Sequence, residues 1–175
     1  MKRRIIFVII SLMMLLPCAK LSAQTSGKVY LEPFVGGTIS PNRGVSVGLS
    51  VGYVYDYGLA FEGTFGYRDL SGYNLAQFSA GIKYECPYIY LGYPIIGCGA
   101  GFIVDFPRGN YGSPTIDPTV NYKFGYAFYV VPDYLDIGLE YRGDAIFMLD
   151  QTNGRLWGTL VEHSLCLTFR VYLTR

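Results

Sequence analysis

The sequence predicts an all-β fold, an eight-stranded antiparallel up-and-down transmembrane β-barrel. Three observations favour it: apolar residues alternate with small or polar ones, charged residues keep to the opposite parity, and Tyr and Gly are abundant. The 175 residues include 17 Tyr, 11 Phe and 22 Gly, and only 15% are charged. A chain this apolar and aromatic buries surface instead of staying disordered, and its composition favours sheet over helix.

The N-terminus has the three parts of a secretory signal. Basic residues at 2–4 precede an apolar run at 5–16, and small residues follow at 22–23. We therefore predict a cleaved signal peptide over 1–23 and one mature domain over 24–175. Cleavage removes four of the 14 basic residues and leaves 10 against 13 acidic ones, so the formal net charge changes from +1 to −3. This balance offers no basic surface for nucleic acid.

Two other interpretations of the N-terminus stay open. The apolar run is shorter than the roughly 20 residues that a membrane-spanning helix needs, which argues against an anchor. Cys18 could carry a lipid, although Pro17 occupies a position where lipoprotein processing prefers a small residue. No later stretch is apolar over the length of a spanning helix, so an exported chain of this composition crosses a bilayer only as a closed barrel.

Alternation with a period of two residues defines the strands. Val45, Val47 and Leu49 alternate with Gly and Ser, and the pattern resumes after a turn at 56–57, which predicts a hairpin. Each segment provides the roughly 9–11 residues that a tilted membrane-spanning strand needs. The eight predicted strands are 28–39, 44–55, 58–69, 75–85, 88–104, 120–130, 134–147 and 159–173.

The predicted connections differ between the two ends of the barrel, as they do in membrane-spanning barrels. After the even-numbered strands they are short, at 56–57, 86–87 and 131–133. The others are more open or longer, at 40–43, 70–74, 105–119 and 148–158. Asn153 and Gly154 predict a two-residue hairpin tip, so that the seventh and eighth strands extend beyond the membrane together with Trp157 at the rim. Pro94 predicts a bulge that switches the faces of the fifth strand.

Charged residues give a second test of the barrel. When apolar residues alone define the lipid face, charges occupy the inward parity and none falls on the lipid face. A charge facing lipid at mid-depth costs about 2–4 kcal/mol, so the pattern indicates a bilayer around the barrel, whereas a soluble sandwich hides its apolar side. Lys28, Glu85 and Asp144 share the inward parity. We predict a lumen charge network made of Glu32, Glu62, Arg68, Lys83, Lys123, Asp136, Glu140, Arg142, Glu162 and Arg170.

An eight-stranded barrel has an interior just wide enough for side chains to fill it. Near-balanced charges in so narrow a space are expected to pair and plug the lumen, which argues against an open pore. Aromatic residues predict girdles at both membrane interfaces. Tyr53, Tyr55 and Tyr126 belong to the girdle at the short turns, and Phe102 and Tyr141 lie toward the opposite rim.

The residues give little support to catalysis or to a bound metal. His163 is the only histidine, and the adjacent Ser164 points to the opposite face of a strand, so the two cannot form a nucleophile–base pair. The mature chain keeps Cys86, Cys98 and Cys166, with no spacing typical of a disulfide framework or a metal site. We therefore predict a protein that is not an enzyme and that binds no cofactor and no metal.

The longest predicted connection, at 105–119, contains several Pro and Gly residues. Long loops carry binding surfaces more often than short turns do. We predict a contact surface there, with Arg108, Asn110, Tyr111 and Asp117 as its candidate residues. An idle surface loop is the alternative.

With this combination of signal, strand count, alternation and girdles, the chain resembles the small eight-stranded outer-membrane barrels, a family that includes the transmembrane domain of outer-membrane protein A. The resemblance covers the whole mature chain, includes no diagnostic motif and is to the barrel alone. It implies an outer-membrane location among lipid and lipopolysaccharide. It also implies a structural or surface-interaction role, in which extracellular loops contact an extracellular or host partner.

The same resemblance leaves two other functions open. Some relatives are enzymes that act on lipid A, and the eight-stranded deacylases among them carry a His and a Ser separated by one residue, whereas His163 and Ser164 are adjacent. A narrow channel is the second alternative.

Overall fold

A computed structural model describes residues 27–40, 42–55, 58–86, 91–107, 113–150 and 154–173. Eight antiparallel strands form a closed barrel in sequence order, which confirms the predicted fold class. The strands are β1 (Lys28–Ser40), β2 (Gly44–Val54), β3 (Leu59–Leu70), β4 (Tyr73–Glu85), β5 (Gly92–Pro107), β6 (Thr115–Val131), β7 (Leu135–Leu149) and β8 (Leu156–Tyr172). The predicted signal over 1–23 lies outside the described residues. Within those residues, no helix is long and apolar enough to cross a membrane.

The length of the connections does not distinguish the two ends, so that part of the prediction is wrong. The end that carries 55–58, 86–91 and 132–134 is called the turn end below, and the opposite end is called the loop end. At the loop end the connections are 41–43, 71–72, 108–114 and 150–155. The connection between β3 and β4 has two residues, fewer than the predicted 70–74, because the two strands pair as far as Asp69 and Asn74.

The predicted loop over 105–119 is also shorter than expected, because strands occupy both of its ends. β5 continues to Pro107 and β6 begins at Thr115. Pro118 had indicated a loop, but it pairs with Phe102 of β5 and lies just above the first β6–β7 pair, Thr119 with Ile146. A proline at the end of a ladder removes no inter-strand hydrogen bond that the sheet needs.

The predicted bulge at Pro94 is absent from the β5–β6 ladder, which runs without a shift through Tyr93, Pro94 and Ile95. Odd-numbered residues therefore face inward along this strand, and Tyr93 is buried. Pro94 is tolerated because it stands one residue before the β4–β5 register, which starts at Glu85 and Ile95. Its carbonyl still accepts a hydrogen bond from the Cys86 amide at 3.0 Å.

The hairpin between β7 and β8 has a longer tip than the two residues predicted. The Asp150 amide donates to the Arg155 carbonyl at 2.9 Å, and the Gly154 amide donates to the Asp150 carbonyl at 2.7 Å. Gly154 has φ +66°, a left-handed conformation that glycine adopts without strain. The loop enclosed by this pair is therefore four residues long, at 151–154; Asn153 and the side chain of Trp157 lie outside what the structure describes.

The wall of the barrel is taller on one side. β1 to β4 have 11 to 13 residues, whereas β5 to β8 have 15 to 17. At the seam, β1 ends at Ser40 opposite His163 of β8, while β8 continues upward to Leu156 with β7 as its neighbour. The β7–β8 hairpin thus extends beyond β1 at the loop end.

The outward face is an apolar band. Leu49 is 39% exposed and Val45 54% exposed, and similar side chains cover the other strands. Among the charged residues of the described strands, Asp69 points outward, one residue before the end of β3. Such a surface suits a hydrocarbon solvent and not water.

The interior has apolar clusters at both ends. At the turn end, Tyr30, Val54, Ala60 and Tyr172 pack together, beside a second group of Tyr93, Ile95 and Ala127. At the loop end a cluster is formed by Leu70, Leu75, Ile103 and Ile146, with Tyr73 and Leu160 against it. Polar and charged side chains fill the space between these ends.

Aromatic rings fill the room left by inward glycines. Tyr30 lies directly across from Gly52 in the β1–β2 pair, and a Cβ at position 52 would overlap its ring. The Tyr30 hydroxyl donates to Glu62 Oε2 at 2.8 Å, so the ring cannot move without breaking this bond.

We expect Gly52→Ala to lower the free energy of unfolding by about 1–3 kcal/mol, the range for overpacking a filled interior. Urea denaturation of the folded barrel in lipid vesicles measures the change. Gly63→Ala is the matched control, since a Cβ at Gly63 meets nothing within 4 Å. Equal stabilities for the two variants would contradict the tight fit of Tyr30 over Gly52.

Candidate functional site

The barrel interior holds every residue of the predicted lumen network, and the ion pairs cross from one wall to another. Nine of these side chains are buried, and that of Lys123 is 12% exposed. The ten residues of the network are Glu32, Glu62, Arg68, Lys83, Lys123, Asp136, Glu140, Arg142, Glu162 and Arg170.

Arg170 is the centre of the network near the turn end. Its guanidinium donates to Glu32 Oε2 at 2.5 Å and to Glu85 Oε1 at 2.6 Å. A third contact joins Arg170 Nη1 to the Tyr93 hydroxyl at 2.5 Å, and that hydroxyl donates to Asp136 Oδ2 at 2.6 Å. Because β8 supplies Arg170, β1 Glu32, β4 Glu85 and β5 Tyr93, this one side chain ties four strands together.

Lys83 stands in the middle of the lumen between two carboxylates. Its Nζ lies 3.0 Å from Glu32 Oε2 and 2.9 Å from Glu62 Oε2. The same ammonium is 4.3 Å from the centre of the Tyr30 ring, close enough for a cation–π interaction. Lys123 also pairs with Glu62. Glu32 and Glu62 therefore share the Lys83 ammonium from β4, and Glu62 has a second cation from β6.

Arg142 adds a second bridge at the same level. Its Nη2 is 2.7 Å from Glu140 Oε2 and 3.3 Å from Glu32 Oε1. The guanidinium carbon lies 3.8 Å from the centre of the Phe34 ring. This stacked position covers the cation with carbon on one side and with carboxylates on the other.

Arg68 forms the group next to the loop end. It pairs with Asp144, and its Nη1 lies 3.1 Å from Glu162 Oε2. Gln77 accepts from Arg68 Nη2 at 2.8 Å and donates to Asp144 Oδ1 at 2.6 Å. The Tyr73 hydroxyl donates to Glu162 Oε1 at 2.9 Å and so links the group to the loop-end cluster.

A small cavity remains between the middle and upper groups. Its volume is about 40 Å³, and its lining includes Glu62, Arg68, Gln77, Lys123 and Arg142. A cavity of this size holds only a few water molecules. The contacts above and below it join side chains from opposite walls.

Three tyrosines of the interior were missed by the sequence analysis. Tyr30, Tyr93 and Tyr172 are all buried, and Tyr172 donates to Asp136 Oδ2 at 2.9 Å. Their parity was the available signal, because Tyr30 and Tyr172 lie two residues from Glu32 and Arg170.

Asp117 is not part of a contact loop, so this prediction is wrong. It belongs to β6, is 7% exposed, and accepts a hydrogen bond from the Leu149 amide at 2.8 Å. Its carboxylate thus holds the upper ends of β6 and β7 together where their ladder has ended. Arg108, Asn110 and Tyr111, the other candidate contact residues, lie outside the described residues.

His163 and Ser164 are on opposite sides of the wall. His163 faces outward, where its Nδ1 is 3.2 Å from the Tyr122 hydroxyl. Ser164 is buried inside, with its hydroxyl 3.2 Å from that of Thr38. Among the described residues there is no group of three side chains placed to bind a metal ion.

The sequence matches no family model and no curated protein. Solved structures do match its fold. Neisserial surface protein A is 16% identical with a TM-score of 0.63, and the match covers 87% of this chain and 99% of that one. The N-terminal β-barrel domain of Pseudomonas aeruginosa OprF is 15% identical with a TM-score of 0.63, and the match covers 85% of this chain and 98% of that one. The chain has the fold of the small eight-stranded outer-membrane barrels.

The small-barrel fold is shared by proteins with different activities. The outer membrane enzyme PagL is 17% identical with a TM-score of 0.50, over 81% of this chain and 98% of that one. At these identities the similarity extends to the fold and to no particular site.

Proposed function

We propose that the chain is an integral outer-membrane protein with a closed lumen, and that its loop end has a structural or surface-interaction role. The observation that supports the proposal is a series of packed side-chain groups along the axis of the lumen. The loop-end cluster, the groups around Arg68, Lys83 and Arg170, and the turn-end clusters follow one another along the axis. Outer-membrane lipid and lipopolysaccharide surround such a barrel, and the partner of its loop end is an extracellular or host surface.

The outer-membrane location is supported by the apolar outward band and by the fold of the compared structures. An exported barrel resists denaturation by dodecyl sulfate until it is heated. Unheated and boiled samples of the purified protein should therefore migrate differently on a denaturing gel, and outer-membrane fractions should contain it. Identical migration, or recovery from the soluble fraction alone, would refute this part of the proposal.

A closed lumen predicts that the protein does not conduct ions. In planar bilayers we expect no discrete current steps at 100 mV from the purified barrel, under conditions where a sixteen-stranded porin gives large ones, because wide barrels leave an aqueous channel and eight-stranded ones do not. The physical reason is the layer of apolar side chains at each end and the paired charges between them. Reproducible single-channel steps would contradict the closed lumen and would favour the narrow channel.

We infer further that the barrel is not a lipid A-modifying enzyme. The inference is supported by the positions of His163 outside and Ser164 inside, which keep the histidine from activating that hydroxyl as a nucleophile. Lipid A isolated from a deletion strain should give the same mass spectrum as that of the parent. A lost or gained acyl chain that returns on complementation would overturn it.

A further inference from the structure

The upper part of β8 has a neighbour on one side only. Residues 156–162, called the free edge below, pair with β7 as far as Leu156 opposite Leu149. On the other side the ladder with β1 stops at His163 opposite Ser40. Within the described part of the chain, no strand continues the sheet beyond that point.

The free edge presents backbone hydrogen-bonding groups. The Leu173 amide donates to Val29 of β1 at 2.8 Å, and the Tyr172 amide donates to Tyr134, next to β7, at 3.1 Å. Backbone groups alternate between the two sides of a strand, so odd-numbered residues of β8 point toward β1. Above the end of β1, the N–H and C=O groups of Thr159 and Val161 point to the side where no strand follows.

The side chains of the free edge are uncharged except for one. Glu162 points inward and pairs with Arg68. Thr159 and Val161 are exposed on the outward face, and Leu160 packs inward against the loop-end cluster. Natural proteins commonly block such an edge with Lys, with Pro or with a covering loop. The free edge has neither of those residues.

We propose that the free edge binds an extended, uncharged peptide segment of another protein, which adds to the sheet as an antiparallel strand above β1. Strand addition satisfies the backbone groups of Thr159 and Val161, and it takes its affinity from main-chain hydrogen bonds. Apolar side chains on the inward face of the added strand would lie beside Leu160. The proposal rests on the proposed function, for which it specifies the kind of partner that the loop end recognises.

A second copy of the barrel does not fit this edge. Two barrels inserted in the same direction are related by an axis normal to the membrane, so their β8 strands run in the same vertical direction. Strands in such barrels are tilted by about 35–45°. The two edges would therefore cross at a large angle, and no antiparallel ladder could form. The acyl chains of lipid carry no hydrogen-bond donors or acceptors, and β1 begins at the turn end, at the opposite end of the barrel from the free edge.

The test uses a labelled peptide as the probe. Its sequence copies residues 143–149, which pair antiparallel with β8 on its other side, with Asn in place of Asp144 to remove the charge. Fluorescence anisotropy measures its binding to the folded barrel in micelles. Wild type should bind saturably, and Thr159→Pro with Val161→Pro should weaken binding at least tenfold, because proline removes the N–H on the free side and leaves the β7 ladder intact.

Thr159→Ala with Val161→Ala is the matched control, since it changes the side chains and keeps both N–H groups. It should bind within twofold of wild type. A second measurement needs no protein variant. It compares two versions of the peptide, one methylated at its odd-numbered backbone nitrogens and the other at its even-numbered ones, and only one version should lose binding. Equal binding by the proline and alanine variants, equal binding by the two methylated peptides, or no saturable binding to wild type would each overturn the proposal.

Heat-dependent gel migration and conductance are recorded on the same preparations. A folded, non-conducting barrel that does not bind the peptide refutes the free-edge proposal alone. A barrel that conducts, or that fails to show heat-dependent migration, refutes the proposed function instead.

Discussion

Arg170→Met is expected to destabilise the barrel by about 3–5 kcal/mol, the cost of removing one partner from a buried ion pair. Arg170 is 2% exposed and contacts both Glu32 and Glu85. Methionine fills part of the volume and leaves Glu85 without its strongest cation. Urea unfolding in lipid vesicles, followed by the fluorescence of the single Trp, measures the loss.

Arg43→Met is the control for Arg170→Met, because Arg43 lies exposed in the connection between β1 and β2. A surface change of this kind should alter stability by no more than about 0.5 kcal/mol. Combining Arg170→Met with Glu85→Gln should recover part of the lost stability, because Glu85→Gln removes the negative charge that Arg170→Met leaves without its closest cation. If Arg170→Met cost no more than Arg43→Met, the ion pairs would contribute little to the fold.

Leu49→Arg should cost about 2–4 kcal/mol if the outward face lies in hydrocarbon, because a guanidinium at mid-depth must leave water. Leu49 is at the middle of β2 and points outward with 39% of its surface exposed. The same urea assay in vesicles gives the free energy. In water, an arginine at such an exposed position would be nearly neutral, so the size of the loss reports on the solvent around the barrel.

Val45→Arg is the matched control for Leu49→Arg. Val45 has the same parity on the same strand and lies one residue from its loop-end start. Charges near the interface cost only about 0–1 kcal/mol, because a long side chain can reach the headgroups. Equal costs at Val45 and Leu49 would show that no hydrocarbon layer surrounds the middle of the barrel.

The inward placement of the charged residues could be predicted because it depends on local alternation alone. Glu32, Lys83 and Arg170 each sit in a segment whose apolar neighbours define the opposite face, so parity was enough. Their partners could not be predicted. Arg170 meets Glu85 because the shear of the closed barrel brings β8 and β4 to the same level, and shear is a property of all eight registers together.

The buried position of Tyr93 was missed because of the bulge predicted at Pro94. With a bulge there, Tyr93 and Leu91 both fall on the outward parity. In the structure its hydroxyl has an ionic partner at each side, Arg170 and Asp136. A buried tyrosine needs such a partner, and the charged residues on its own parity offered several.

Composition misplaced the ends of β5 and β6 for a different reason. Asp105, Asp117 and Pro118 are rare in strands, and a window rich in them suggests a loop. Asp117 is accommodated because its carboxylate replaces a missing ladder bond by accepting from the Leu149 amide. Such a rescue depends on a residue more than thirty positions away, which no local pattern contains.

A lumen closed as we propose would also keep dissolved electrolyte away from its ion pairs. Mobile ions weaken electrostatic attraction between exposed charges over a Debye length of about 8 Å at physiological ionic strength. They can do so only where they approach the charges, and Leu70, Leu75, Ile103 and Ile146 stand between the network and the medium at the loop end. A closed lumen therefore predicts that the attraction between the barrel walls changes little with the salt concentration outside.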